Sequence, residues 1–150
     1  MTGTVVEDFE AASTQGTFRL ADHRGHPVVL YFYPRDNTPG CTTEGMAFRD
    51  LYPKFLKAGA VVAGVSRDSL QSHEAWSAKM DFAFPLLSDP DEAVCKQFDV
   101  IRMKSMYGKS VRGIERSTFV IDSEGRLAHE WRKVKVEGHA REVLDFVKKL

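Results

Sequence analysis

The sequence predicts an α/β fold, a central mixed β-sheet flanked by helices, and three stretches carry that prediction. Val28-Val29-Leu30-Tyr31-Phe32-Tyr33 is β-branched and aromatic without polar alternation, the pattern of a strand buried on both faces. Ala60 to Ser66 repeats it. Between them Phe48, Leu51, Tyr52, Phe55 and Leu56 form an apolar stripe at helical spacing, on a helix beginning near Cys41. Strand, helix and strand in this succession make a βαβ unit.

The remaining elements follow in order. Pro53 lies inside the first helix and predicts a kink or an early end, because it removes a hydrogen bond and crowds the preceding turn. A second helix is expected to start after Asp68 or Ser69, either of which can cap it, and to run to about Met80. Asp89-Pro90-Asp91-Glu92 predicts a third helix, with Pro90 at its first position and Glu92 at its third. Thr118–Asp122 reads as a strand, turned by Ser123-Glu124-Gly125 into a partner over Arg126–Trp131. Val143, Phe146, Val147 and Leu150 give a closing amphipathic helix one apolar face.

Length and charge set limits. A chain of 150 residues suits one hydrophobic core, so a single domain over residues 1–150 is expected. Twenty-one Lys and Arg balance twenty-one Asp and Glu, which argues against nucleic acid or an anionic membrane surface as partner. The two cysteines, Cys41 and Cys95, are too few for a disulfide scaffold. Met1-Thr2-Gly3-Thr4 opens no basic and apolar leader, and the longest apolar runs fall well short of the roughly 18 residues of a membrane span. A reducing cytoplasm is the expected compartment. His23, His26, His73, His129 and His139 are scattered without zinc-ligand spacing, so neither metal nor cofactor is expected.

One stretch carries chemistry. In Tyr33-Pro34-Arg35-Asp36-Asn37-Thr38-Pro39-Gly40-Cys41 a buried strand runs into a Pro- and Gly-containing loop, and a cysteine stands where the next helix starts. Free N–H groups and the helix dipole favour an anion there, so a thiolate is stabilised beside donors suited to a charge-developing substrate. Thr38 can cap the turn or offer its hydroxyl to a ligand atom next to the sulfur. The same residues also fit a small buried cysteine in a capped turn. By themselves they leave both readings open.

A resemblance reaches further. Pro34-x-x-x-Thr38-x-x-Cys41, with Tyr31-Phe32-Tyr33 before it and Thr42-Thr43-Glu44 after it, resembles the active-site pattern of peroxiredoxins of the bacterioferritin-comigratory, or Q-type, subfamily. Val65–Ser69, Phe84–Asp89, Gly113–Phe119 and Trp131–Lys135 are similar to the same subfamily, so the likeness covers most of the chain. It implies a thioredoxin-like fold and a thiol peroxidase for hydrogen peroxide and organic hydroperoxides. Cys41 would be the nucleophile and become a sulfenic acid. Arg116 would stabilise the thiolate and the charge developing on the peroxide. Thr38 and the Cys41 N–H would hold the peroxide in line, and Pro34 would shield the sulfur from water. Glu44 matches a glutamate near the family's site; on its own it reads as a first-turn carboxylate favoured by the dipole.

Recycling departs from the family pattern. Some relatives place a resolving cysteine five residues after the first, where this chain has Met46, and others on the next helix, where it has Ser77. Cys95 is the remaining thiol and is expected to be structural, beside the apolar face of its helix. The resemblance therefore implies reduction by thioredoxin, glutaredoxin or a small thiol, and a monomer. A thiol–disulfide oxidoreductase or thiol-dependent chaperone on the same fold is the rival, opposed by the lack of any Cys-x-x-Cys.

Overall fold

Val28–Phe32, buried at all five positions, becomes the middle of the sheet because it has apolar side chains for both faces. The structure is a computed structural model and describes residues 2–150. In chain order the strands are β1 (Glu10–Ser13), β2 (Phe18–Arg19), β3 (Val28–Phe32), β4 (Val61–Ser66), β5 (Leu86–Ser88), β6 (Ile101–Met106), β7 (Lys109–Ile114), β8 (Ser117–Ile121) and β9 (Leu127–Arg132). The helices are α1 (Pro39–Lys57), α2 (Leu70–Met80), α3 (Ala93–Gln97) and α4 (His139–Lys148). Seven strands form one mixed sheet in the order β2-β1-β5-β4-β3-β8-β9, and β6 pairs with β7 in a separate hairpin. β3, β4 and β5 run parallel, while β8 lies antiparallel to β3 with Phe32 opposite Ser117.

Alternation along β3 divides the core in two. Val29, Tyr31 and Tyr33 point to one face with Cys41, Phe48 and Phe55 of α1 and with Val143, Leu144 and Val147 of α4. Val28, Leu30 and Phe32 point to the other, with Val94 and Cys95 of α3 and with Phe98 and Phe119. The two cysteines thus belong to cores on opposite sides of the sheet.

Several expectations are corrected. Pro53 does not end α1, which continues to Lys57: Pro53 is exposed, so the Arg49 carbonyl it cannot bond is on the side that meets water, while Phe48 and Phe55 hold the helix down. Leu56 and Leu150 are about half exposed and do not extend the apolar stripes; Ala140 and Leu144 complete that of α4 instead. The third helix starts four residues after Asp89, because Glu92 adopts a left-handed conformation (φ 64°) and breaks the first turn. Asp89 still satisfies the free donors, accepting from the N–H groups of Val94 (3.1 Å) and Cys95 (2.7 Å). The β1–β2 and β6–β7 hairpins and short β5 are additions. Tyr107 and Gly108 both have positive φ in the tight turn of the second hairpin, where glycine is favoured. Among the described residues no helix is long and apolar enough to cross a membrane.

Candidate active site

Chain order alone separates the site residues, and the sheet register reunites them. β3 ends at Phe32, the loop after it leads to Pro39 at the first position of α1, and Cys41 is the third residue of that helix. β8 starts opposite the end of β3, so Arg116, just before β8, arrives beside the same loop. The Arg116 carbonyl accepts from the Val134 N–H at 3.0 Å, which fixes the backbone behind the guanidinium.

Cys41 is buried at 1% exposure. Its Sγ lies 3.4 Å from Nη2 of Arg116, and Nη1 of the same guanidinium donates to Oε1 of Glu44 at 2.7 Å. The fork geometry of arginine lets one side chain serve both groups. Gly40 leaves room for this approach: a Cβ there would stand a tight 3.2 Å from Nη2. Glu44 is buried on the α1 face that carries Cys41, Gly45 and Phe48; it lies past the first turn, not in it as its position alone suggested. Burial pushes its carboxyl up to about 7, against the opposing pull of the Arg116 charge. Its Oε2 has no hydrogen-bond partner among the described residues, and neither does the buried Tyr31 hydroxyl.

Thr38 stands at the N-cap, but its side chain does not cap. Its hydroxyl donates to the Arg35 carbonyl at 2.9 Å, while its own carbonyl accepts the Thr42 N–H at 2.8 Å. The first-turn N–H groups of Gly40 and Cys41 thus keep no side-chain partner and remain available to an anion. Pro34 is half-buried at the end of β3. Asn37 supplies the turn with a left-handed residue (φ 57°), which asparagine tolerates better than most.

The other sulfur-related positions stay apart. The half-buried Ser77 on α2 donates from Oγ to the Phe82 carbonyl at 3.4 Å and makes no bond to Cys41. Met46 is partly exposed on α1. Cys95 is fully buried, and burial first, then the neighbouring Asp89 carboxylate, pushes its thiol far up, which suppresses its thiolate. Sequence reasoning missed a buried polar group beneath the loop, made of Tyr33, Asp36, Ser66, Asp68, Ser72 and His73. Asp36 and Tyr33 are in the quoted motif, but the other partners, Asp68, Ser72 and His73, come from far along the chain. Asp36, Asp68 and His73 bring metal-ligand atoms within 4.8 Å of one another. Those atoms are already engaged in hydrogen bonds within the protein, which a cation would have to break.

With the site's geometry described, comparison gives the class: the AhpC/TSA family matches residues 2–130, and the chain belongs to that family. Peroxiredoxin Bcp of Xanthomonas campestris pv. campestris is 59% identical over 138 residues, covering 92% of this chain and 85% of its own. Peroxiredoxin Bcp of Bacillus subtilis is 47% identical over 147 residues, 97% of this chain and 94% of its own. Among solved structures, the Xanthomonas campestris bacterioferritin comigratory protein, studied as trapped intermediate and ligand complexes for its alkyl peroxide reduction, superposes with a TM-score of 0.89. It shares 56% identity over 94% of this chain and 90% of its own. A cysteine-to-serine mutant of Xylella fastidiosa PrxQ reaches 0.94 with 46% identity over 99% and 96%. The chain is a thioredoxin-like peroxiredoxin of the bacterioferritin-comigratory, Q-type group, and hence a thiol peroxidase.

Proposed function

We propose that Cys41 is the reacting sulfur, that it reduces hydrogen peroxide and organic hydroperoxides by one-cysteine chemistry, and that a thiol from outside the chain regenerates it. The observation that carries this reading is the Arg116 guanidinium, 3.4 Å from Cys41 Sγ and held on its other side by buried Glu44. A thiolate beside that charge attacks the terminal oxygen of the hydroperoxide. The S–O bond forms as the O–O bond breaks, two electrons pass from sulfur to peroxide, and the leaving alkoxide, or hydroxide for hydrogen peroxide, takes a proton from solvent to become an alcohol or water. Cys41 is left as sulfenic acid.

The surrounding residues divide the work. Because the Thr38 hydroxyl gives its proton to the Arg35 carbonyl, its oxygen is an acceptor for the O–H of the incoming peroxide. The free Cys41 N–H and Arg116 face the charge that develops as the O–O bond stretches. Pro34 narrows the entrance and keeps water from the sulfur. Glu44 acts through Arg116, holding the guanidinium in place.

Regeneration needs an external thiol because no sulfhydryl of this chain is suitably placed. Ser77 has no sulfur, and Cys95 lies in the core on the far side of the sheet, whereas a disulfide needs Cα atoms within about 7 Å. Thioredoxin, glutaredoxin and small cytoplasmic thiols are the candidate reductants of this single-domain, monomeric enzyme. The thiol–disulfide oxidoreductase reading lacks the second exchanging thiol. Intact mass and peptide mapping after one equivalent of peroxide, with dimedone present, test the proposal. We expect a dimedone adduct on Cys41 and a free thiol at Cys95; a stoichiometric Cys41–Cys95 disulfide would overturn the one-cysteine assignment.

A further inference from the structure

Beneath the peroxide-binding turn lies a buried carboxylate that the reaction above does not use. Asp36 is 7% exposed and sits between Arg35, whose carbonyl orients the Thr38 hydroxyl, and Thr38 itself. Oδ1 of Asp36 accepts from the Tyr33 hydroxyl at 2.7 Å, and Oδ2 accepts from the Ser72 hydroxyl at 2.8 Å. The same Oδ2 lies 2.7 Å from Nδ1 of His73, which is wholly buried. The Asp36 N–H donates to Oδ2 of Asp68 at 2.9 Å, and Asp68 is itself held by the Ser66 hydroxyl at 2.6 Å.

His73 is fixed from the opposite side. Its Nε2 lies 2.9 Å from the Leu87 carbonyl, which can only accept, so Nε2 carries a proton and Nδ1 faces Asp36. The turn is therefore tied through one carboxylate to Tyr33 just past β3, to α2 (Ser72 and His73) and, across the ring, to β5. A surface loop has no need of so many buried polar bonds. Each such group costs free energy unless satisfied, and a half-satisfied network is worse than an apolar one.

We propose that Asp36 and His73 are a positioning pair for peroxide attack: they fasten the turn so that the Arg35 carbonyl keeps the Thr38 hydroxyl oxygen turned toward the peroxide at Cys41. Neither residue touches the sulfur. They act through the turn, and the inference rests on the peroxidase reading of Cys41. Displacing a substrate-orienting group by about 1 Å can cost a hundredfold in rate. Alkylation by iodoacetamide requires the Cys41 thiolate but no oriented peroxide, so the two reactions separate positioning from general damage.

The test measures both second-order rates, with circular dichroism and melting curves, for wild type, Asp36→Asn, His73→Gln and the double variant. Tyr33→Phe and Ser72→Ala, which each delete one donor to Asp36, are measured alongside as mild variants. We expect Asp36→Asn and His73→Gln to lose about ten- to a hundredfold in peroxide rate while iodoacetamide alkylation stays within about twofold. The double variant should be little worse than either single, as for residues that act as one unit. Tyr33→Phe and Ser72→Ala should each lose a few-fold in peroxide rate at unchanged alkylation, which keeps the test decisive if the larger changes unfold the protein. Parallel losses in both rates, or no loss of peroxide rate in folded variants, would overturn the positioning role. Full peroxide turnover by Cys41→Ser would overturn the peroxidase reading itself, an outcome distinct from either.

Discussion

Replacing Cys41 by serine is expected to abolish peroxide reduction, with consumption at the rate of the uncatalysed reductant. Oxygen is nearly isosteric with sulfur, so the side chain still fits its buried place among Tyr31, Tyr33 and Phe48. The melting temperature should move by no more than about 3 °C, the shift of roughly 1 kcal/mol in a chain of this size. What disappears is the nucleophile. A serine hydroxyl is not ionised near neutral pH, and an Arg116 guanidinium 3.4 Å from the sulfur position does not supply the base that serine enzymes require. Peroxide consumption with excess dithiothreitol makes the comparison. Equal rates for the two proteins would remove Cys41 from the chemistry.

Arg116→Ala carries the next largest effect. Loss of one preorganised donor to a developing oxyanion costs about 10²–10³ in rate, and Arg116 faces both the thiolate and the peroxide oxygens. We therefore expect a fall of about that size in peroxide rate, accompanied by slower alkylation of Cys41 near neutral pH as its thiolate loses the adjacent positive charge. The second consequence concerns Glu44. Removing one partner of a buried ion pair is costly because the other charge is stranded. Burial already pushes this carboxyl up to about 7, so without Arg116 it takes up a proton and the stability loss is blunted. Glu44→Gln in the Arg116→Ala background should therefore change stability little and restore no activity. Arg116→Lys should recover only part of the rate, since a single ammonium lacks the fork that spans Glu44 and Cys41. A peroxide rate for Arg116→Ala within about threefold of wild type would exclude the transition-state role.

Local pattern explains what could be read before any coordinates. The β3–α1–β4 unit and the β8–β9 hairpin announce themselves through runs and periods within one segment, and the Pro34–Cys41 loop through residue types at fixed spacing. The place of β1 in the sheet does not: Ala12 and Ser13 pair with Ser88 and Leu87 of β5, far along the chain. The same reason hid the true setting of Glu44. Its position suggests a first-turn carboxylate favoured by the dipole, and its pairing with Arg116, seventy-two residues on, shows only in the structure. Asp36 and His73 were invisible for a related cause, since thirty-seven residues separate them and neither stands out in its own segment. Thr38 occupies the N-cap position, but the sequence alone does not tell that its hydroxyl turns back to Arg35 instead of capping and leaves the helix donors free.

The β3 alternation bears on a question that composition raised. Two cysteines could be partners, but Cys41 packs with Tyr31 and Tyr33 while Cys95 packs with Leu30 and Phe32, so the sheet stands between them. In the proposed reaction one sulfur reacts with peroxide and then waits for an outside thiol. Stopped-flow mixing of the fully reduced protein with peroxide, in the absence of any reductant, tests it most directly. A single fast phase that consumes one peroxide per chain and stops is expected, with Cys95 still titrating as a free thiol and turnover restored when dithiothreitol is added. Loss of the Cys95 thiol, a fast phase that continues past one equivalent without thiol, or the absence of a fast phase is the opposite result.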